Sequence, residues 1–272
     1  MAQLAETRVA AGGKPAAVTD GGTALTTTAG YTQLYPGTTQ IDIIPRNFST
    51  AVVVKFALNP YLVVLKATDR FATQAKVIDY SEAAQDGSAS TSIDLSEMAT
   101  LASGTGLYVG AHLPFRGVDI DVDGTNSAGT ATLTANYSSL DGFKSLTITD
   151  GTEATRTLAQ DGTVTWTVPV DWKPRTLAQL EPGFGSYSHK YKDIPMFWVR
   201  FAVSAAVTDT SVTLDHLVAM NRSTVYGALP SGVSIVGMNV TRGFGGVGCI
   251  EALTDAGTAS LIVNCTADER FS

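Results

Sequence analysis

The sequence predicts an all-β protein, an antiparallel β-sandwich or jelly roll with an extended N-terminal arm. Apolar and polar residues alternate in several segments, Asp-Gly pairs separate these segments, and no long stretch shows a helical period. Alternation with a period of two and one polar face is typical of antiparallel strands buried on one side. Short strands joined by tight turns, without long helices between them, indicate a sandwich.

Residues 1–40 form the predicted arm. They are rich in Ala, Gly and Thr and offer few apolar anchors. A segment that buries so little apolar surface does not fold alone. We therefore expect the arm to become ordered by lying on a neighbouring molecule.

The region 41–106 is predicted to be β-rich with one short helix. Its strand pattern is interrupted near Pro60, which cannot donate to a β-ladder and so marks a turn or an edge. The helix is predicted over 94–102, because Asp94 and Glu97 have the spacing of a capping box.

Residues 107–218 are predicted to form the main sandwich, and residues 219–272 supply strands that complete or extend it. Asp-Gly pairs between the strands predict turns whose central residues take positive φ. The pairs lie at 123–124, 141–142, 150–151 and 161–162, and the apolar strand positions are Val118, Ile120 and Val122; Ala131, Leu133, Ala135 and Tyr137; Val164, Trp166 and Val168; and Phe197, Val199, Phe201 and Val203.

A spaced aromatic pattern lies in the same region. Trp166 and Trp172 flank Pro169, and the strand Phe197-Trp-Val-Arg200 follows. With these motifs, residues 107–218 resemble a module that recurs in structural proteins of tailed-bacteriophage virions. The sandwich that the resemblance implies is similar to galactose-binding and carbohydrate-binding jelly rolls. The resemblance thus implies a structural role in a virion.

The segment Asn136–Phe143 departs from this pattern. Modules of this kind usually carry a Trp-containing tract after the preceding strand, and the segment here contains no Trp. The aromatic platform that would stack on a sugar is therefore reduced, which counts against a glycan-binding function.

The three tryptophans have two interpretations. Trp166 alternates with inward apolar residues, which predicts a core position. Trp172 follows a strand end, and Trp198 lies on the strand face opposite Phe197. For both, a core or cap position and an exposed partner contact are open alternatives. Arg200 shares the face of Trp198.

The segment 174–193 has no strand or helix pattern over its whole length. Loops this long are usually functional or ordered by a partner, and an ordinary surface loop is the alternative. Aromatic side chains with polar tips are enriched at interfaces. The candidate partner contacts are Phe184, Tyr187, His189 and Tyr191 in this loop, Trp172, Trp198 and Arg200 beside it, and Tyr31 and Tyr35 in the arm.

Two further motifs suggest ligands but lack the required context. Residues 243–248 match a dinucleotide-binding glycine pattern, but no βαβ unit is predicted around them, so we expect a glycine loop. Asp119, Asp121 and Asp123 imitate the start of a calcium loop whose twelfth position is Thr130 rather than Glu. Strand alternation places these aspartates on the solvent face; a bound cation or a basic partner is the alternative.

Histidine and cysteine spacing indicates no catalytic or metal site. His112, His189 and His216 lie in separate segments, and two cysteines cannot form a four-thiolate site. We expect Cys249 and Cys265 to be reduced and buried, with a disulfide between them as the alternative. No catalytic motif marks the chain, so we expect neither an enzyme nor a cofactor.

Charge and hydropathy restrict the partners. The net charge is −7 and no basic cluster exists, so no nucleic-acid partner is expected. Neither a secretory signal nor a membrane-spanning run is predicted. We expect a capsid decoration or cement protein on the exterior of a virion assembled in the host cytoplasm. Its partners would be the major capsid protein and copies of itself, with a homotrimer plausible by symmetry. A neck, tail or head-fibre component and a glycan-binding module for host attachment are the alternatives.

Overall fold

Strands make up nearly all of the regular secondary structure in the described residues, which confirms the predicted all-β class. The computed structural model describes residues 7–10, 23–34, 37–49, 52–86, 90–96, 98, 100, 104–127, 129–181, 183–184, 187–207, 211–221 and 226–267. Their strands are β1 Thr7–Ala10, β2 Thr23–Leu25, β3 Gly30–Gln33, β4 Thr38–Arg46, β5 Val53–Pro60, β6 Val63–Ala67, β7 Val77–Asp79, β8 Ile93–Asp94, β9 Gly106–Ala111, β10 Gly117–Gly124, β11 Leu133–Ser139, β12 Gly142–Leu146, β13 Thr149–Asp150, β14 Gly162–Thr165, β15 Phe197–Val203, β16 Thr213–Ala219, β17 Gly227–Pro230, β18 Ile235–Asn239, β19 Val247–Thr254 and β20 Ala259–Ala267.

Strands from both ends of the described chain form one sandwich, which we call the terminal sandwich. Sheet A has the order β1-β20-β4-β18, with β2 also paired to β20, and sheet B has the order β17-β5-β19-β3. All these pairings are antiparallel; Ile43, for example, lies opposite Val263. Apolar side chains of the two sheets, such as Ile41 on β4 and Ile250 on β19, pack into a shared core.

The predicted N-terminal arm differs from what the described residues show. Within 1–40, β1 and β2 pair with β20, and β3 pairs with β19. Leu25 and Leu34 are buried in the core of the terminal sandwich. These apolar anchors, together with the pairing to β19 and β20, make this part of the chain an integral piece of the β-body. Tyr35 lies outside the described residues.

The middle of the chain forms a second sandwich, which we call the inner sandwich. Sheet C has the order β12-β11-β15-β9-β6-β7, and sheet D has the order β13-β14-β10-β16-β8. Val118, Ile120 and Val122 are buried between the sheets, so their predicted alternation is confirmed. The finer jelly-roll topology stays a prediction.

Aromatic rings fill one end of the inner core. The ring of Phe115 lies 5.4 Å from that of Trp166 and 5.3 Å from that of Trp172, measured between centroids. The Trp166 indole donates to the carbonyl of Phe115, and the Trp172 indole donates to Ser138 Oγ. Both indoles are therefore satisfied inside the core, which confirms Trp166 as a core residue and makes Trp172 one as well.

The inner sandwich is an insertion in the terminal sandwich. The chain leaves the terminal sandwich after β5 and returns to it at β17. The predicted module 107–218 lies within the inner sandwich, which also takes β6, β7 and β8 from the predicted region 41–106. No helix in the described part of the chain is long and apolar enough to cross a bilayer.

The predicted helix over 94–102 differs from the structure where that segment is described. Asp94 ends β8, and its carboxylate accepts a hydrogen bond from the backbone of Ser96 at 2.8 Å. Glu97, 99 and 101–103 lie outside the described residues. Helical backbone is described instead at α1, Leu177–Leu180, at a 3-10 turn at Gln74–Lys76, and at 183–184.

The glycines of the Asp-Gly pairs serve two different purposes. Gly142 follows the tip of the β11–β12 hairpin and has φ 110°, a conformation that favours glycine. Gly124, Gly151 and Gly162 do not have positive φ, so the predicted turn chemistry is wrong for these three pairs. A Cβ on Gly124 would lie 1.7 Å from the carbonyl oxygen of Ser211, and one on Gly162 would lie 2.3 Å from that of Gly151. These two glycines allow backbones to approach closely.

Phe115→Ala is expected to lower the free energy of unfolding by about 3–5 kcal/mol, because it opens a cavity between the two indole rings. Val170→Ala serves as the control, since Val170 is fully exposed, and should change the free energy by less than about 0.5 kcal/mol. Urea denaturation followed by tryptophan fluorescence measures both. Equal midpoints for the two variants would contradict the packing described.

Candidate functional site

The segment 174–193 covers the outer face of sheet C. Its residues Leu177, Leu180 and Phe184 pack with Tyr108 and Trp198 of that sheet in a third apolar cluster. Sheet C is therefore buried on both faces, by sheet D on one side and by this segment on the other. The segment is thus neither an ordinary surface loop nor one that needs a partner to cover its apolar residues.

Five of the residues predicted to contact a partner are buried in this structure. Their side chains are buried in the chain's own core, so the prediction that they contact a partner is wrong for this fold. Tyr31, Tyr187 and His189 are half-buried, and the hydroxyls of Tyr31 and Tyr187 lie in the interior without a hydrogen-bond partner among the described residues. The buried five are Trp172, Phe184, Tyr191, Trp198 and Arg200.

A buried carboxylate fixes the covering segment to sheet C. Glu181 Oε1 accepts hydrogen bonds from Tyr108 Oη at 2.9 Å and Arg200 Nη1 at 2.5 Å. Glu181 Oε2 accepts from Nε and Nη2 of Arg70 at 3.1 and 2.8 Å. Burial raises the pKa of Tyr108, so it remains a donor. A buried charge is tolerated only when its partners replace water in this way.

Sequence reasoning overlooked Glu181, although a local signal precedes it. Thr176 and Gln179 form a capping box, in which the Thr176 hydroxyl accepts from the Gln179 backbone and the Gln179 side chain accepts from the Thr176 backbone. The box starts α1, and Glu181 follows the single turn that α1 makes. The Thr-x-x-Gln spacing next to Leu177 and Leu180 is readable in the sequence.

A second buried carboxylate lies where the two sandwiches meet. Glu251, on β19, accepts from Arg116 Nη2 at 2.7 Å and Tyr226 Oη at 2.5 Å through Oε1. Its Oε2 accepts from Asn59 Nδ2 at 3.0 Å and the backbone of Asn221 at 2.7 Å. Arg116 precedes β10 of the inner sandwich, so this ion pair joins the two bodies.

Arg242 makes a second connection at the same junction. Its guanidinium pairs with Glu82, donates to the carbonyls of Leu34 at 3.2 Å and Gln85 at 3.0 Å, and lies over the ring of Tyr61. Gln85 in turn exchanges two hydrogen bonds with the backbone of Leu62. We call the contacts around Glu251 and Arg242 the junction.

These carboxylates have a structural use. Each oxygen of Glu181 and Glu251 already accepts two hydrogen bonds, which leaves little capacity to take a proton from a substrate. In the part of the chain that the structure describes, no group of three or more His, Cys, Asp or Glu side chains is placed to hold a metal ion.

The aspartates of the predicted solvent face lie partly inside the structure. His216 Nε2 lies 3.0 Å from Asp119 Oδ2, and its Nδ1 lies 3.7 Å from Asp121 Oδ2. Only Asp123 is exposed. The alternation itself is confirmed, but a histidine from β16 occupies the space beside two of the three carboxylates.

The glycine motif and the cysteines have structural roles. Gly243 and Gly245 have positive φ in the turn that leads into β19, which agrees with the predicted glycine loop. Cys249 and Cys265 are buried and form no disulfide, as predicted, and they lie in sheets B and A. Burial raises the pKa of Cys249, so its thiol stays protonated.

An open groove of about 730 Å³ lies at one edge of the inner sandwich. One wall is Ser145–Thr149, which runs from β12 to β13, and the other is Thr165–Val170, which continues from β14. Arg116 and Tyr137 also line it. The sequence gives no signal for this groove, because threonines that alternate with apolar residues are expected on any half-buried strand.

Comparison with protein-family models, curated proteins and solved structures finds no match to this chain. The resemblance of residues 107–218 to virion modules therefore stays a prediction from the sequence, and the all-β class rests on the structure.

Glu181→Gln is expected to lower the free energy of unfolding by about 3 kcal/mol, because it leaves the buried guanidinium of Arg200 without its counter-charge. Asp141→Asn is the matched control, since Asp141 pairs with Lys144 on the surface at 3.5 Å, and should cost less than about 0.5 kcal/mol. Chemical denaturation of both variants tests this. A loss of similar size in the control would contradict the distinction.

Acidification is expected to destabilise the protein in part through His189. Burial lowers the pKa of His189 below its ordinary value of 6.5, and its Nδ1 accepts from the backbone of Tyr191 at 3.3 Å. As pH falls below 6.5 the unfolded chain binds a proton first, so stability falls until the lower folded pKa is reached. In His189→Asn, which keeps an acceptor but does not titrate, the loss of Tm between about pH 7.5 and pH 5 should shrink. An unchanged loss would exclude this contribution.

Proposed function

We propose that the chain is a structural protein of a tailed-bacteriophage virion that acts as a capsid decoration or cement protein. In this role it bridges neighbouring major capsid subunits and stabilises the shell on its outer side. The proposal combines the resemblance of residues 107–218 to virion modules with one structural observation, the junction between the two sandwiches.

The junction supports a mechanical role. Two sandwiches joined only by two chain crossings would be free to hinge, and a bridge that hinges does not hold subunits together. Here the ion pair of Arg116 with Glu251 and the contacts of Arg242 with Glu82 and Gln85 cross between the sandwiches. The Glu251 carboxylate is fully buried, and charged hydrogen bonds shielded from water are costly to break one at a time. The two bodies can therefore carry load as one.

Exposed apolar side chains on both sandwiches replace the buried residues as candidate contacts. Leu113 and Leu140 project from loops at one end of the inner sandwich, with 53% and 67% of their surface exposed. Val233 and Val236 lie beside or on β18 at the edge of the terminal sandwich. A bridging protein needs one contact surface on each side, and exposed apolar groups are typical of such surfaces.

Binding through residues 1–40 as a detachable arm is not part of this proposal. β3 and the first residues of β4 belong to sheets of the terminal sandwich. Deletion of 2–40 would remove these strands and expose the core. A loss of shell binding after this deletion would therefore indicate unfolding of the protein and not the loss of a contact made by the arm.

The copy number in purified particles tests the location. A decoration protein should be present at a copy number comparable to that of the major capsid protein, whereas a neck, tail or head-fibre component should match a single symmetric ring. Quantitative mass spectrometry of intact virions distinguishes them. The same proposal includes contacts between copies of the chain, with a homotrimer as the form to test by native mass spectrometry.

Leu140→Asp and Val236→Asp are each expected to lower occupancy on shells stripped of this protein by at least about tenfold, because each places a charge in one of the two contact surfaces. Thr155→Asp, an exposed residue of the inner sandwich outside both surfaces, is the control and should bind as the parent does. Occupancy is measured by co-sedimentation. Normal occupancy of both apolar variants would contradict these surfaces.

A further inference from the structure

Asp141 and Gly142 lie at the tip of the hairpin between β11 and β12, at the edge of sheet C. The Asp141 side chain is 81% exposed, and it forms an ion pair with the surface residue Lys144 at 3.5 Å. An ion pair on the surface holds its carboxylate only weakly. The carboxyl of Asp141 can therefore rotate toward the backbone nitrogen of Gly142.

The space around Gly142 permits this approach. Gly142 has φ 110°, and a Cβ built on it would meet no atom within 4 Å apart from its chain neighbours. The hydroxyl of Ser139 accepts from the backbone nitrogen of Asp141 at 3.2 Å and donates to the carbonyl of Gly142 at 2.9 Å. Neither bond engages the carboxyl of Asp141. The two groups thus lie in an open turn, and local opening of an edge hairpin has a low free-energy cost.

The other three Asp-Gly pairs have a crowded glycine. A Cβ would lie 1.7 Å from a backbone carbonyl oxygen of another segment at Gly124, 2.7 Å at Gly151 and 2.3 Å at Gly162. Backbone packed this closely leaves the glycine nitrogen no room to move onto the side chain of the preceding aspartate.

Hydrogen bonds also hold the glycine nitrogens of these three pairs. The nitrogen of Gly124 donates to Thr213 Oγ1 at 3.0 Å. The nitrogen of Gly151 donates to the carbonyl of Thr163 at 2.9 Å. Gly162 is paired with β10, the central strand of sheet D. Gly142, by contrast, is paired with a residue of its own turn.

The carboxylates of two of these pairs are engaged as well. Asp150 Oδ1 accepts from the backbone nitrogen and the hydroxyl of Thr152 at 2.9 and 2.6 Å. Asp161 Oδ1 accepts from the backbone nitrogen of Val122 at 2.9 Å. Of the four Asp-Gly pairs, all of which lie in the described residues, the pair at 141–142 combines a weakly held carboxyl with an uncrowded glycine.

We propose that Asp141 is a site of spontaneous modification, at which the residue isomerises to isoaspartate. The backbone nitrogen of Gly142 attacks Cγ of the protonated Asp141 side chain and gives up its proton, and one carboxyl oxygen leaves as water. The product is a cyclic succinimide. Water then opens the ring at the main-chain carbonyl, which leaves Gly142 bonded through Cγ. One water is lost and one is gained, so the reaction needs no oxidant or cofactor and the mass is unchanged.

Isomerisation alters the surface of the hairpin tip. It inserts a methylene into the main chain and leaves the α-carboxylate as the side group. Leu140, which precedes the site, is 67% exposed on the same tip, so its position changes with the turn. The site does not depend on the proposed role in the virion, because the reaction needs only this chain and water.

Ageing of the purified full chain at neutral pH and physiological temperature tests the proposal. Trypsin releases residues 117–144 as one peptide, so Asp123 and Asp141 are compared within it by electron-transfer fragmentation. We expect isoaspartate to accumulate at Asp141 at least about fivefold faster than at any other Asp-Gly pair, which is the factor expected when one hydrogen bond fewer has to break.

A matched pair of variants assigns the modified form. In the aged parent, reversed-phase chromatography should resolve a second form of peptide 117–144 with the same mass. Asp141→Glu keeps the charge but lengthens the side chain, which disfavours ring closure, so this form should decrease at least about fivefold. Asp123→Glu changes an exposed aspartate that also precedes a glycine, and the second form should persist at the level of the parent.

Unfolding in guanidinium chloride separates the effect of the fold from that of the local sequence. All four pairs contain the same reacting groups, so their rates should become similar once the chain is unfolded. Isoaspartate that forms first at 123, 150 or 161 in the folded chain would overturn the proposal, as would a second peptide form that persists in Asp141→Glu. An equal preference for Asp141 in the unfolded chain would show that local sequence selects the site, which also contradicts the proposal.

Discussion

The ion pair between Arg116 and Glu251 holds the two sandwiches against each other, since it joins sheet B to the start of a strand of sheet D. Glu251 belongs to β19, which lies between β5 and β3 in sheet B. Arg116 immediately precedes β10, the central strand of sheet D. The carboxylate is shielded from water and needs all of its donors at once. Because these donors come from both sandwiches, a shift of either one would leave the buried carboxylate of Glu251 without some of its hydrogen bonds. The fold therefore behaves as one unit although it contains two main cores.

The same device recurs on the outer face of sheet C. Glu181 neutralises Arg200 under the covering segment, as Glu251 neutralises Arg116 at the junction. In both places a segment without regular structure brings polar partners to a sheet that would otherwise be open to solvent. Apolar contacts supply most of the favourable free energy, and the charged pairs determine which segment lies on which face.

The sequence predicts which residues form strands better than it predicts which segments pack against those strands. Alternation identifies Val118, Ile120 and Val122 as inward-facing because a sheet with one wet face has a period of two. The same rule predicts an exposed face for Trp198 and Arg200, which are buried. Sheet C is covered on both faces, and the segment that covers its outer face has no strand or helix pattern in the sequence. The pairing of β3 with β19 joins residues more than two hundred positions apart, which no local pattern encodes. The groove depends on how two strand ends diverge, and its threonines resemble ordinary surface residues.

The insertion of one sandwich within another sets an order for folding during synthesis. β5 leaves the ribosome long before its partners β17 and β19, whereas all strands of the inner sandwich emerge consecutively between them. The inner sandwich can therefore form before the terminal sandwich is complete. During that time the apolar faces of β3, β4 and β5 are not yet covered. Such a delayed closure is slow and prone to mispairing.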